Sequence, residues 1–370
     1  MTDYETTQLV RKLPKTVPFI GPEVQERVRN RSFAARMGAN ENVFGPSPKA
    51  ISAITRVAEE SWMYGDSEAH ELRQMLGQHN GVSLENIMVG GGIDELLGYT
   101  VRIFVENGDV VVTSLGAYPT FNYHVVGYGG HLVFVPYSND HEDTECLVDT
   151  ACAQKAKLIY LSNPDNPMGT CWNASVIERM IDRIPKGMML LLDEAYHEFA
   201  PVGTVPDIDI SDSRVLRFRT FSKAYGLAGI RIGYIIGEQG LIGEFNKVRN
   251  HFGVGRLAQE VAVSALLDKE HLKMVVGKVE KARQRIARIC LANGLSAIDS
   301  STNFVAIDCG SDSMFAEIVL NELINQDIFV RMPSVTPLNR CIRISVGLDS
   351  DLDLLSKALP QALNVARDSQ

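Results

Sequence analysis

The stretch FRTFSKAYGLAGIRIGY, residues 218–234, decides how the rest of this chain is read. Two cations, Lys223 and Arg231, stand eight positions apart among small and apolar residues, with the hydroxyl of Ser222 directly before the first. Read blandly, a strand ends, a glycine-punctuated loop follows and two cations happen to sit in it. The preceding sequence supplies the context. From about residue 85 to 235 short apolar runs alternate with helix-like segments, the pattern of βα units around a mostly parallel sheet. Strands are expected at 87–89, 110–113, 131–135, 158–161, 188–192 and 215–219, with helices such as 93–105 and 174–184 between them. In open sheets of this kind ligands sit outside the carboxyl ends of the strands, so chemistry is sought in the residues just past each one.

Around this block the chain is organised as two parts. Ile51, Ile54, Val57, Ala58 and Trp62 recur at helical spacing behind Pro46-Ser47-Pro48, a helix entry signal. A long helix around 275–291 stops at Asn293-Gly294. Strands at 304–307, 328–331 and 341–346 then precede a final helix with Leu352, Leu355, Leu359 and Leu363 in register. The fold class is α/β: a large domain over 45–255, and a smaller α+β domain from 256–370 completed by 1–44. A chain of 370 residues suits such a division.

Composition narrows the function. Hydrophobic residues at 45% and charged residues at 22% are ordinary for a folded body. A net charge of −9 provides no basic field for nucleic acid or anionic lipid, so any bound anion is held by a few placed groups. Six cysteines without a C-x-x-C pair or matching histidines argue against structural zinc, and no metal site is expected. They read as reduced, mostly buried thiols of a cytoplasmic protein. The start, MTDYETTQLVRK, lacks the apolar core of a signal peptide, and no apolar run reaches membrane-spanning length.

Three strand ends stand out. Asp193 closes the apolar run 188–192, where a carboxylate either caps a helix or meets a cationic ligand atom. SNPDNPMGT, residues 162–170, packs turn formers so densely that a tightly defined loop is implied, with the amide of Asn166 held between prolines. GGGIDE, residues 90–95, opens a helix whose free N–H groups suit a phosphate, although glycine-rich βα turns are common and Asp94 also complements the helix dipole. Taken together the features describe one ligand. A phosphate needs the helix start, Ser222 and Arg231; a protonated ring nitrogen needs Asp193; a phenolic oxygen needs Tyr196 and Asn166; an aldehyde needs the amine of Lys223. Pyridoxal 5′-phosphate has those four parts.

The segments GANENVFGPSP (38–48), GGGIDE, NPDNPMG, LLDEAYHEF (191–199), RTFSKAYGLAGIRIG and IRISVG (342–347) resemble, in order and over nearly the whole chain, the class I/II aminotransferases. The histidinol-phosphate aminotransferase branch is the nearest match. The resemblance implies the aspartate aminotransferase-like fold (fold type I of the pyridoxal-phosphate enzymes) and ping-pong transfer of an amino group to a 2-oxo acid through a Lys223 aldimine. It assigns catalysis to Lys223, Asp193 and Tyr196. Cofactor contacts fall to Gly92, Ile93, Asp94, Asn166, Ser222 and Arg231, with Phe121 stacking on the ring. Tyr64 would reach the cofactor phosphate of a neighbouring subunit, making the active unit a homodimer with shared sites. Arg343 would clamp the acidic end of the substrate and Arg331 the distal group, with Asn40 lining the mouth.

The sequence also departs from the branch. Pro18-Phe19 stands where a Pro-Tyr is usual, Ile93 replaces a small hydroxyl residue, Met168 a threonine and Gly65 a proline. The missing hydroxyl at Phe19 suits an apolar or aromatic donor side chain as well as histidinol phosphate. The same fold also hosts decarboxylases and racemases, which remain an alternative at this point. A cofactor-sensing DNA-binding regulator is disfavoured by the acidic charge and by a resemblance that starts near the first residues.

Overall fold

The computed structural model describes residues 5–15 and 19–369, so Pro18 of the Pro-Phe pair lies outside the described residues. A first short strand, β1 (Ala35–Arg36), precedes the main block. That block forms one sheet from β2 (Ile87–Gly90), β3 (Val110–Ser114), β4 (His131–Val135), β5 (Leu158–Ser162), β6 (Met189–Asp193), β7 (Val215–Thr220) and β8 (Gly233–Ile236). Their spatial order is β2-β8-β7-β6-β5-β3-β4. The run from β7 to β4 is parallel, whereas β8 is antiparallel to both β7 and β2. The sequence reading missed β8 because its residues close the Lys223 segment. The chain turns straight back after that loop, and Phe221 N donates to Ile232 O at 3.2 Å.

Every residue of β5, β6 and β7 is buried. Both faces of the sheet are covered by helices, which is why these strands read as continuous apolar runs rather than alternating ones. One consequence is that Asp193, the last residue of β6, closes an apolar strand while still buried itself. The helix Pro48–Val57 starts as expected, with Ser47 Oγ accepting from Ala50 N at 3.1 Å. Its buried face is Ala50, Ala53 and Val57, while Ile51 and Trp62 are 51% and 81% exposed, against the expected apolar stripe. The helix ends at Val57, so Trp62 falls beyond it in a turn.

A second sheet joins β9 (Ser296–Ala297), β10 (Phe304–Asp308) and β12 (Cys341–Ser345), antiparallel in the order β12-β10-β9. The strand β11 (Ile328–Phe329) does not join it; it pairs in parallel with β1. Thus 328–331 is only half strand, and Arg331 touches the second sheet through an isolated bridge to Arg343. The helix Lys269–Ala292 stops where expected, at Asn293 followed by Gly294 in the left-handed region. The last helix, Asp349–Asp368, buries Leu352, Leu355, Leu359 and Leu363 in the core. The helix Arg256–Leu266 shares a core with Ala50, Ala53 and Leu72 on the large sheet's side, although the smaller domain was expected to begin at 256.

Cys290, Cys309 and Cys341 are buried, and burial pushes each thiol up to about 12. Among the described residues no helix is long and apolar enough to cross a membrane, and no cluster of side chains could hold a metal ion.

Candidate active site

Two adjacent carboxylates at the end of β6 have opposite environments. Glu194 bonds Arg217 at 2.5 Å and Arg219 at 2.8 Å; burial alone would raise its pKa, but the two guanidiniums outweigh it and hold the group at about 2. Asp193 is just as buried, yet its bonds come from neutral donors, Tyr160 Oη at 2.7 Å and Ala195 N at 3.0 Å. Burial pushes it up to about 6. A carboxylate held in place without a cation is prepared for a cationic atom of a ligand. Asp193 does not cap a helix: Ala195 N, in a turn, donates to one oxygen, Tyr160 sets the other, and the short helix that follows has Tyr196 at its start with no side-chain cap.

Lys223 lies in the loop between β7 and β8. Its Nζ donates to Asn40 O at 3.1 Å and stands 5.6 Å from the centre of the Tyr196 ring. Burial, then the neighbouring Arg343, lowers its pKa to about 8, so a useful fraction is the free amine near neutral pH. Asn40 is the hub. In the left-handed region at φ 56°, it donates from Nδ2 to Tyr196 Oη at 3.1 Å and accepts at Oδ1 from Ser345 Oγ at 2.9 Å. Asn303 Nδ2 also donates to Asn40 O, at 3.0 Å. Burial pushes Tyr196 up to about 12, so its phenol stays protonated as a donor.

The helix Ile93–Phe104 begins at Gly92 with φ 100° and no side-chain cap. Its first-turn N–H groups therefore lack an internal acceptor. A Cβ on Gly92 would collide with Nη2 of Arg231, so the guanidinium lies over the helix start. Ser222 follows in the same region, its Oγ 2.9 Å from Thr220 Oγ1. A cation, a hydroxyl and a helix N-terminus converging in this way fit a phosphate. Together with Asp193 and Lys223, they fit pyridoxal 5′-phosphate group by group.

On the facing side Arg343, in β12, donates from Nη1 to Asn166 Oδ1 at 2.5 Å and from Nη2 to Gly38 O at 3.4 Å. Its Nε is buried without a partner, and burial lowers its pKa to about 10. Arg331 exchanges backbone hydrogen bonds with Arg343 and lays its guanidinium 4.3 Å from the centre of the Phe19 ring. Burial is what lowers the Arg331 pKa. Two half-buried guanidiniums side by side, neither bonded to a carboxylate among the described residues, suit an anion.

One expected residue is placed differently. Phe121 is fully buried and stacks on Tyr160, centroids 4.5 Å apart at 16°, so it has no free face for a cofactor ring. It supports Tyr160, which in turn supports Asp193. The aromatic at the site edge is Tyr118, three residues earlier, with its Oη donating to Asp94 Oδ1 at 2.5 Å. The signal was the same stretch, GAYPTFNYH, read three residues out of register. Tyr64 is 77% exposed against Phe252 and touches none of the groups above. Ser345, Asn303 and Tyr160 were also missed, since nothing local in the sequence ties them to Asn40 or Asp193.

The sequence profile of "Aminotransferase class I and II" matches residues 35–359. The chain is 32% identical over 347 residues to histidinol-phosphate aminotransferase 2 of Carboxydothermus hydrogenoformans, covering 92% of this chain and 95% of that protein. The crystal structure of histidinol-phosphate aminotransferase from Sinorhizobium meliloti in complex with pyridoxal-5′-phosphate superposes with a TM-score of 0.96 at 49% identity, over 98% of this chain and 99% of that one. An aspartate aminotransferase of Thermus thermophilus shares the fold at a TM-score of 0.84 and 20% identity, over 97% of this chain and all of that one. These likenesses do not favour a decarboxylase or racemase, and with the geometry above they lead to one conclusion: the chain belongs to the class I and II aminotransferases and is a pyridoxal 5′-phosphate-dependent enzyme of that family.

Proposed function

We propose that this enzyme takes the amino group from a donor carrying an anionic group, histidinol phosphate foremost, and delivers it to a 2-oxo acid. The observation that carries this reading is the pair Arg331 and Arg343, half-buried, adjacent and without bonded carboxylates among the described residues. Such a pair stays uncompensated until an anion arrives, and its planar forks suit carboxylate or phosphate. Phe19 offers an aromatic face at the same mouth, 45% exposed, so aromatic amino acids are the second donor class.

When bound, the cofactor supplies an electron sink for the bonding pair at the donor's α-carbon. Asp193 would hold the ring's cationic nitrogen, Tyr196 and Asn166 its phenolic oxygen, and Tyr118 its face. Arg231, Ser222 and the N–H groups of Ile93 and Asp94 would hold its phosphate. Lys223 is the base that takes the α-proton and returns it; its lowered pKa keeps a free amine available for that step. Asn40 steers the Lys223 amine and fixes the Tyr196 hydroxyl, joining both to β12 through Ser345. The exposed Tyr64 and Trp62 support a homodimer in which Tyr64 completes the partner's phosphate site. The cytoplasm is the proposed location.

The test is a half-reaction on cofactor-loaded protein. Histidinol phosphate, glutamate and aromatic amino acids are added singly while the visible band of the lysine-bound cofactor is followed. Rapid loss of the band with histidinol phosphate supports the first donor. Loss with aromatic amino acids alone moves the assignment to the second class, and no loss with any of them refutes the proposal.

A further inference from the structure

Beside the site, at the exit of β5, lie two acids that the chemistry above does not use. Glu142 and Asp165 are each 2% exposed. Asp165 accepts from Tyr137 Oη at 2.8 Å through Oδ1 and from Met168 N at 2.9 Å through Oδ2. Glu142 Oε1 accepts from Ser162 N at 2.9 Å, while Glu142 Oε2 is buried with no donor. Asp165 is close enough to raise Glu142 by its charge, and the nearby hydroxyl of Ser114 is buried without a partner too, so nothing bridges the two acids among the described residues. Two buried, mutually repelling carboxylates do not both ionise; one proton between them turns repulsion into a strong bond. The proton belongs on Glu142, because Asp165 already accepts from two donors.

We propose that Glu142 is a protonated acid donating to Asp165, and that this pair is a positioning clamp holding the 163–170 loop so that Asn166 meets Arg343. Glu142 is bonded to Ser162 where the loop leaves β5, and Asp165 is bonded to Met168 across its turn. Asn166, between those two anchors, accepts from Arg343 at 2.5 Å. Burial raises both acids, Asp165 to about 7 and Glu142 well above the usual carboxylate range, so the proton persists at neutral pH. The other groups facing the pair are Tyr137, Tyr160, Tyr196 and Arg343; the Tyr137 hydroxyl bond and the Arg343 charge favour ionisation of Asp165, and burial outweighs both. This inference rests on the assignment of Asn166 and Arg343 to the substrate site.

Glu142→Gln discriminates. Its amide oxygen accepts from Ser162 N and its NH₂ donates to Asp165, so the clamp is rebuilt without a titratable proton. An infrared spectrum of the holoenzyme at neutral pH should contain a buried carboxylic-acid carbonyl band that Glu142→Gln removes, a result independent of any substrate. The donor KM of the wild type should rise about tenfold relative to Glu142→Gln as the pH is raised from neutrality and the shared proton is lost. Glu142→Ala should raise donor KM about tenfold at neutral pH with a smaller change in kcat. Identical infrared spectra would overturn the protonation, and parallel pH profiles in wild type and Glu142→Gln would overturn the clamp. If the enzyme accepts no donor, the infrared result still decides the proton, so failure of the proposed function stays distinct. Should Glu142→Ala not fold, the two Glu142→Gln comparisons suffice.

Discussion

Replacing Asp193 with asparagine should stabilise the cofactor-free protein while ruining its hold on the cofactor. Asp193 is buried with bonds from Tyr160 and Ala195 and no cation, and burial raises it from its ordinary 3.8 to about 6. Because the folded-state value lies above the unfolded one, native apo protein keeps the extra proton below about pH 6. Stability is lost as the pH climbs through that value. The span from 3.8 to about 6, at about 1.4 kcal/mol per pH unit, makes the ionised side chain a burden of about 3 kcal/mol at neutral pH. Asparagine carries no charge and can still accept from Ala195 N. With an unfolding entropy of about 2.1 cal/mol/K per residue over 370 residues, removing that burden raises Tm by up to about 4 °C. The assay is thermal unfolding of both apo proteins at about pH 7 and again at about pH 5, with cofactor dissociation measured alongside. The stability gain should shrink at the lower pH, and the variant should lose the cofactor far more readily. An apo variant no more stable than wild type at neutral pH, with its cofactor affinity intact, would refute the reasoning.

Lys223→Ala should abolish the visible band of lysine-bound cofactor while circular dichroism stays native; retention of turnover would remove Lys223 from its role. Arg343→Ala should raise donor KM about a hundredfold, the scale of losing a buried charge-assisted pair of bonds, with little effect on cofactor affinity. Steady-state kinetics and a cofactor titration check it, and an unchanged KM points to another anchor. Phe121→Ala should cost about 3–5 kcal/mol in chemical denaturation, as a core aromatic does, whereas Tyr118→Ala should leave stability near wild type and weaken cofactor binding. The reverse outcome would restore Phe121 as the stacking residue.

The ends of β5, β6 and β7 were legible because a buried parallel sheet writes its strands as unbroken apolar runs, and the polar residues that interrupt them sit at the ligand side. What was not legible was whatever depends on residues far apart in sequence. β8 hid inside the Lys223 motif, since four residues carry no periodicity of their own. Trp62 fitted a helical stripe numerically, but the helix ended five residues before it. Phe121 and Tyr118 lie on either side of one turn of helix start, and only packing on Tyr160 reveals which one faces the core. The hub around Asn40 brings in Ser345 and Asn303, and no local pattern announces a bond across that separation.

The Asn40 to Ser345 bond spans 305 residues. During synthesis the segment that steers Lys223 leaves the ribosome early, and β1 has no partner until β11 emerges. At about 5–20 residues per second the wait is roughly 15 to 60 s, during which the seven-stranded sheet can form without a working site. A truncated or stalled chain therefore lacks the bond that ties Asn40 to β12. The amine of Lys223 receives its Asn40 partner, held from β12, only when the final strands arrive, so completion of the chain and readiness for catalysis are the same event.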